Sequence, residues 1–588
     1  MASGKRKKRA NQAQQAEQLK LPSYVWRRRS LLGVLSLALV ALVWRAADQQ
    51  IFKTDFLQNE GERRHLRVVE MPAYRGMITD RGGEPLAIST PVDSVWANPR
   101  LLSPDRQTLS EMAKVLGVKS DALRQLLARN SKRSFVYLKR RANPDVAQKV
   151  MALVEEKDIH GVGLQRESRR YYPDGEVFSH VLGFTNIDDQ GQEGMELAYD
   201  EWLTGNPGAK RVIRDGKARV VKDVESIRAP HNGKDLSLSL DRRLQYLAYR
   251  ELKAAVKKHK AHSGSAVILD VQSGEVLAMV NQPSYNPNGS RSGRGGRLRN
   301  RAVTDVFEPG STMKPFTVAA ALELGQMKAS SIIDTSPGTL RVGRNLVKDH
   351  HNYGVIDVAT VLRKSSNVGA SKIALGLPRE ELWQGFSDLG FGQVSASSFP
   401  GEASGQLTSF QRWALIDQAT LSFGYGLSVT PLQLAKAYAV LAADGVRRPV
   451  SLLRLDALPK GERVMSAATA RSVRNMLEAV VSTEGTAPAA AIPGYRVAGK
   501  TGTVKKSVAG GYAEDRYLSI FAGIVPVSNP RLVMAVIIDE PSAGKFYGGQ
   551  VAAPVFAKVM GGALRLLNIA PDGLNASGLR LAGGEAHL

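Results

Sequence analysis

The sequence predicts an α+β protein, and three observations carry that prediction. Runs rich in β-branched residues, with hairpin punctuation, fall at 236–280 and again at 495–539, while the stretch from 311 to about 485 is mostly helical in pattern. Strands at both ends with helices between them describe about five antiparallel strands interrupted by a helical insertion. A segment from about 60 to 225 has a different, mixed character, and one apolar run sits near the N-terminus behind a basic tail.

Length and composition fit two or three domains, since 588 residues exceed one ordinary domain and 43% hydrophobic content supplies real cores. The absence of cysteine excludes disulfides and any zinc or iron–sulfur site built on thiolates. No cofactor and no metal site is expected. The net charge of +25, from 80 basic and 55 acidic residues, suits nucleic acid or an anionic membrane surface. Nine of the basic residues lie in 1–29 against one acid, Glu17. A second cluster, Arg291, Arg294, Arg297, Arg299 and Arg301, is set among Gly and Ser. It lacks the interleaved aromatics that stack bases, so it reads as a solvated loop, and no nucleic-acid partner is expected.

Taken in order, residues 1–29 read as a basic tail. Residues 31–44 carry no charge. A membrane span needs about 17–25 residues, and 30–47 meets that when Arg45 snorkels to the interface. A cleavable signal peptide is the competitor, but it wants small residues at the first and third positions before the cut. A cut after Ala47 puts Arg45 at the third position, and Ser36-Leu-Ala38 leaves too short an apolar core. An uncleaved anchor over 30–47 is therefore expected, with Arg27, Arg28 and Arg29 on the cytoplasmic side and most of the chain outside.

Residues 48–228 form the next part. Arg75-Gly-Met-Ile-Thr-Asp-Arg-Gly-Gly-Glu-Pro reads as strand, turn, strand, with the turn at 80–85. Residues 103–118 and 120–129 read as amphipathic helices. His180 and the Asp and Arg residues here are assigned structural roles, because no nucleophile–base arrangement accompanies them. A Pro/His/Asn/Gly stretch at 229–234 marks the boundary of a second domain, 229–570. In it 241–258 reads as a long helix, 265–269 and 275–280 flank a hairpin turn, and 519–525 and 532–539 form a second hairpin around Ser528-Asn-Pro530. Residues 571–588 are Gly/Ala-rich and are expected to form a flexible tail.

The chemistry is concentrated in Glu308-Pro-Gly-Ser-Thr-Met-Lys-Pro. Pro315 lacks an N–H and so suits a helix start, which places a helix beginning near Gly310 and Ser311. Residues three apart share a helix face, so the Lys314 amine can reach the Ser311 hydroxyl. Serine becomes a nucleophile when a neighbouring base takes its proton, and lysine can be that base when burial or nearby cations lower its pKa. Alone, Ser-x-x-Lys is common on solvated helix faces. Ser365-Ser-Asn367 follows the helix-like 356–364, and Lys500-Thr-Gly-Thr503 lies in a strand-like run.

Those three motifs in that order resemble the set of penicillin-binding proteins and serine β-lactamases. Further matching stretches are Phe423-Gly-Tyr425-Gly-Leu-Ser and Tyr547-Gly-Gly-Gln. The chain resembles class B penicillin-binding proteins, and among them the division-specific peptidoglycan D,D-transpeptidases of the FtsI type. That resemblance implies a penicillin-recognising transpeptidase domain, an antiparallel sheet with helices on both faces, on a pedestal (dimerisation-type) domain at 48–228 with one N-terminal transmembrane helix in the inner membrane. It also implies roles. Ser311 is the nucleophile on a D-Ala–D-Ala bond of a peptidoglycan stem peptide, Lys314 the base and Ser365 the proton relay to the leaving D-alanine. Asn367 holds Lys314 and the substrate amide, and the N–H groups of Ser311 and Thr503 form the oxyanion hole. Gly502 keeps the strand face clear for a substrate that adds as a strand, Lys500 supplies charge, and the Thr501 and Thr503 hydroxyls hold the terminal carboxylate. Tyr425 and Tyr547 are expected to bind substrate, and β-lactams to acylate Ser311 as covalent inhibitors. The partners it implies are a polytopic septal glycan polymerase and bitopic division proteins.

Ser-Ser-Asn in place of Ser-Asp-Asn, and the lack of a loop supplying a deacylating glutamate, favour transpeptidase over β-lactamase. An elongation-specific class B transpeptidase and a non-catalytic division scaffold stay open as alternatives.

Overall fold

The computed structural model describes residues 25–56, 66–102, 105–214, 220–289, 295–508 and 510–573. The first 24 residues of the basic tail, Arg291 and Arg294 of the arginine cluster, and 574–588 lie outside the described residues.

The apolar run forms the helix Val25–Ala47, continued by a π-turn, Asp48–Phe52. The helix thus starts ahead of the apolar run and takes in Arg27, Arg28 and Arg29. Within Val25–Phe52 an 18-residue window has a mean hydropathy of 2.0, and none of that window is buried against protein. Among the described residues this is the one helix long and apolar enough to cross a membrane.

The part that follows is organised on the long strand Pro85–Ala97. It pairs antiparallel with Val162–Tyr171 along most of its length and with Val136–Ala142 at its far end. The turn before it is fixed by Asp80, whose Oδ1 accepts from Gly82 N at 2.7 Å and Glu84 N at 2.9 Å, an Asx turn of the kind the sequence predicts. Two arginines of this part are buried, and both are paired. Arg75 and Arg170, 5% and 4% exposed, grip the fully buried Glu196 at 2.7 Å. Removing Glu196 would leave the buried Arg170 without its carboxylate and cost about 3–5 kcal/mol. Helices Arg106–Leu116, Ser120–Arg129 and Pro144–Glu156 cover the outer end. The first begins later than its pattern suggests, because Asp105 caps it through Gln107 N and Thr108 N. The short strand Leu236–Ser237 pairs in parallel with Ile78–Thr79, so the chain is still tied to this first sheet after the 229–234 stretch.

The second sheet has five antiparallel strands in the order Val276–Gln282, Ser263–Asp270, Leu532–Asp539, Gly511–Val525, Ala498–Val508. Its centre is buried on both faces. Helices Arg242–Lys258 and Ala553–Leu566 pack on one face and Pro431–Ala442 on the other, which is the α+β layering expected. Period two places Ser265, Ile520 and Ile537 on the Pro431–Ala442 side and Gly264, Ser519 and Ile538 on the opposite side. Ala498–Val508 is the edge strand, and the helical insertion between 311 and 485 closes over that edge. The domain extends a little beyond 570: Asp572 accepts from Arg496 N at 2.7 Å and Ser528 N at 3.0 Å, pinning the chain to the strand ends.

Candidate active site

Ser311 lies in a 3-10 turn, Gly310–Met313, that runs straight into the helix Lys314–Glu323 with Pro315 in its first turn. Gly310 opens the turn at φ 55°, and a Cβ there would meet Val504 Cγ2 at 2.4 Å. The turn is thereby pressed against the edge strand. Gly502 serves the same approach from the other side: a Cβ would stand 2.9 Å from the Pro309 carbonyl oxygen and 3.2 Å from Thr312 Cγ2. The missing side chain makes room for the nucleophile's own turn, in addition to the clear strand face expected from the sequence.

The turn brings Lys314 Nζ to 2.8 Å from Ser311 Oγ. The same amine is 2.7 Å from the Ser365 carbonyl oxygen, 3.0 Å from Ser365 Oγ and 2.8 Å from Asn367 Oδ1. Asn367 Nδ2 donates to Lys348 O at 3.0 Å, which fixes the amide so that its oxygen faces the lysine. Lys500 Nζ reaches Ser365 Oγ at 2.9 Å. The Ser365 hydroxyl therefore stands between two amines. Ser365 itself is held at φ 61°, a left-handed conformation that a non-glycine residue adopts at a cost of order 1–3 kcal/mol. The cap of the following helix, Asn367–Leu375, is Ser366 rather than Ser365.

Lys314 and Lys500 are both fully buried. Burial first, and then the charge of Lys500, push the Lys314 amine well below the ordinary lysine range, with Asp349 pulling the other way. Burial brings Lys500 down to about 7. A neutral amine has two N–H donors and one lone pair. Ser365 O and Asn367 Oδ1 can only accept, so they take the two protons. The lone pair is left for a hydroxyl proton, and Ser311 is in place to supply it.

Thr501 and Thr503 alternate with Lys500 and Gly502 and so project to the other side of the strand. The Thr501 hydroxyl lies 2.8 Å from that of Thr486, and the Thr503 hydroxyl accepts from Gly548 N at 3.0 Å, which leaves its own proton free to donate. Tyr547 leads into that Gly548 turn, is 46% exposed, and faces His350 edge-on at 6.5 Å. Tyr425 packs edge-on against Phe423 at 5.7 Å and Tyr512 at 5.6 Å. Five of the ten residues singled out in the sequence, Ser311, Lys314, Ser365, Asn367 and Lys500, are joined by direct hydrogen bonds; Thr501, Gly502 and Thr503 adjoin Lys500 on its strand, Tyr547 precedes the Gly548 that donates to Thr503, and Tyr425 packs on Phe423, whose ring lies 6.0 Å from Lys314 Nζ.

The structure adds Asp349, which no motif marked. Its carboxylate takes the Ser366 hydroxyl at 2.5 Å, the Val368 N–H at 3.0 Å and the Asn367 N–H. It sits at the positive end of the Asn367–Leu375 helix and so orients the residue that orients Lys314. In sequence it is one acid in the polar run Lys348-Asp-His-His-Asn, with nothing to distinguish it.

A buried lysine poised to deprotonate a serine, beside a second lysine on a sheet edge, defines a serine acyl-transfer site of the penicillin-recognising class. The chain belongs to the penicillin-binding protein transpeptidase family. The family model described as the penicillin binding protein transpeptidase domain matches residues 264–561, and that described as the penicillin-binding protein dimerisation domain matches 70–238. Over 557 residues, 93% of each chain, it is 46% identical to the peptidoglycan D,D-transpeptidase FtsI of Escherichia coli K12. It is 42% identical over 560 residues, 94% of this chain and 95% of the relative, to the probable peptidoglycan D,D-transpeptidase PenA of Neisseria meningitidis. Among solved structures, the transpeptidase domain of Burkholderia pseudomallei penicillin-binding protein 3 is 46% identical, with a TM-score of 0.53 over 57% of this chain and 97% of that one. A peptidoglycan synthetase of Bifidobacterium adolescentis covers 87% of this chain and 98% of its own, at 26% identity and a TM-score of 0.69.

Proposed function

We propose that the protein is a division-specific peptidoglycan D,D-transpeptidase that works through a serine acyl-enzyme. The observation that carries this reading is the fully buried Lys314 amine, 2.7 Å from Ser365 O and 2.8 Å from Asn367 Oδ1, which can only accept, and 2.8 Å from Ser311 Oγ. Ser311 Oγ attacks the carbonyl of the D-Ala–D-Ala bond while Lys314 takes its proton. The N–H groups of Ser311 and Thr503 receive the oxyanion. The leaving D-alanine nitrogen takes a proton through the Ser365 hydroxyl, which touches both amines. Lys500 supplies charge for the terminal carboxylate, the Thr501 and Thr503 hydroxyls hold it from the other side of the same edge strand, and Tyr425 and Tyr547 bind the substrate. An amine of a second stem peptide then attacks the ester and regenerates Ser311. β-Lactams enter the first step and stop there.

The catalytic domain, from about 229, lies in the periplasm on the 48–228 pedestal. The Val25–Ala47 helix holds it to the inner membrane, with the basic tail in the cytoplasm. A polytopic septal glycan polymerase and bitopic division proteins are its partners. Labelling the purified protein with fluorescent penicillin tests the chemistry: one label per chain, mapped to Ser311, is expected, and an unlabelled protein would point to a scaffold. Depleting it in cells tests the division role: filaments are expected, and rounded cells would make it an elongation enzyme.

A further inference from the structure

The nucleophile's turn is attached to more than its own helix. Phe307 and Val429 exchange backbone hydrogen bonds at 3.0 and 2.9 Å, and Gly310 N donates to Gly424 O at 3.1 Å. Between these two points the Glu308 side chain makes a third tie. Its Oε1 accepts from Gly426 N at 2.9 Å and from the Tyr512 hydroxyl at 3.0 Å. Tyr512 stands at the start of the strand Gly511–Val525, where that strand closes a hairpin with the end of Ala498–Val508. The ladder is already disturbed there: the register shifts between Lys505 and Ser507. Gly510 and Gly511 both adopt positive φ, and a Cβ on either would meet nothing within 4 Å. The hairpin end is thus open on its outer side. On its inner side Tyr512 meets the body through Glu308 and through the edge of Tyr425.

One detail makes this tie weak as well as specific. Glu308 Oε2 is buried and meets no donor among the described residues. Burial pushes the Glu308 carboxyl upward, against the two hydrogen bonds that Oε1 receives. A carboxylate with one oxygen unsatisfied gains less from staying in place than one fully paired.

We infer that Glu308 is a positioning residue for the transpeptidase reaction: it latches the strand start bearing Tyr512 against the nucleophile's turn, and so holds Tyr512 and Tyr425 edge to edge beside that turn. Glu308 belongs to substrate binding rather than to bond making, since its contacts run to Tyr512 and the 424–426 loop and not to Ser311, Lys314 or Lys500. The inference rests on the transpeptidase reading only for its kinetic arm.

The test compares full-length Glu308→Ala, Glu308→Gln and Tyr512→Phe with the parent. Amide hydrogen exchange of 505–508 and 510–516 reads the latch without any assumption about chemistry. Glu308→Ala and Tyr512→Phe should each speed it about tenfold, the size of one hydrogen bond to a charged group. Their combination should do no more than either alone, because both remove the same tie. Glu308→Gln should restore most of the protection, since an amide oxygen accepts the same two bonds. Stopped-flow acylation by a fluorescent penicillin should show the loss in the apparent dissociation constant of the first complex, with the limiting acylation rate within about threefold. Tyr512→Phe, a change at a half-exposed ring, keeps the test alive if Glu308→Ala does not fold. Unchanged exchange in both single variants, additive effects in the double variant, or a limiting rate that collapses while the dissociation constant stays put would overturn the latch.

Discussion

Asp349→Ala should separate positioning from chemistry in this site. Asp349 gives the Asn367–Leu375 helix its first-turn acceptor and also takes the Ser366 hydroxyl. Loss of an N-cap acceptor costs about 0.5–2 kcal/mol, and a hydrogen bond to a charged group about 1.5–3 kcal/mol. Because the three contacts share one carboxylate, the combined loss is best taken as about 2–4 kcal/mol. For a domain of this size that is a fall in melting temperature of roughly 3–6 °C. The kinetic effect should be larger than such destabilisation explains. Asn367 Oδ1 would no longer be aimed at Lys314, and a misplacement of about 1 Å at a reacting centre can cost on the order of 100-fold. The pH dependence supplies a further signature. Acylation needs neutral Lys314, so the rate rises with pH through the Lys314 pKa. Asp349 holds that pKa up, so removing it should move the acid limb to lower pH while the plateau falls. Thermal melting and fluorescent-penicillin acylation across a pH series spanning neutrality measure all three. A plateau within about threefold of the parent, or an acid limb that moves upward, would refute the role assigned to Asp349.

Ser311→Ala should melt like the parent yet take up no labelled penicillin, and label recovered elsewhere by peptide mapping would unseat it as nucleophile. Lys314→Ala should lose acylation nearly as completely, because nucleophile and base act as a unit; acylation at more than about a tenth of the parent rate would count against the base assignment. Lys500, brought down to about 7 by burial, is charged below that pH and loses its charge above it, so binding should weaken on an alkaline limb near neutrality. Lys500→Arg should retain more acylation than Lys500→Ala and push that limb upward, and equal rates for the two would argue against a charge role. The penicilloyl-enzyme should be long-lived, since Lys314 and Ser365 serve the leaving-group side and no evident counterpart of the deacylating glutamate falls between Ser365 and Lys500; steady hydrolysis by pure protein, in place of one stoichiometric burst, would contradict this.

The α+β class and the five-stranded sheet were legible from the chain itself, because period-two runs and turn residues are local signals. The same holds for the Ser311–Lys314 pairing, since a three-residue spacing fixes two side chains on one helical face whatever surrounds them. The strand position of Lys500 also followed from order and pattern. What no local pattern carries is burial and cross-chain contact. The lowered pKa of Lys314 comes from its complete burial and from Lys500, far along the chain in sequence and one serine hydroxyl away in space. Asp349 is an ordinary polar residue until the chain folds back to place it at the start of a helix 18 residues on. Glu308 precedes the nucleophile by three residues, yet its partners Gly426 and Tyr512 come from two distant segments. Even Gly502, legible as part of a motif, shows its reason only in three dimensions, where the Pro309 carbonyl occupies the place of a side chain. The sequence alone determined which groups could react, because residue type and short spacing set chemical capacity; the tertiary structure decided their charge state and aim, because both are set by desolvation and by neighbours that only folding brings within a few ångströms.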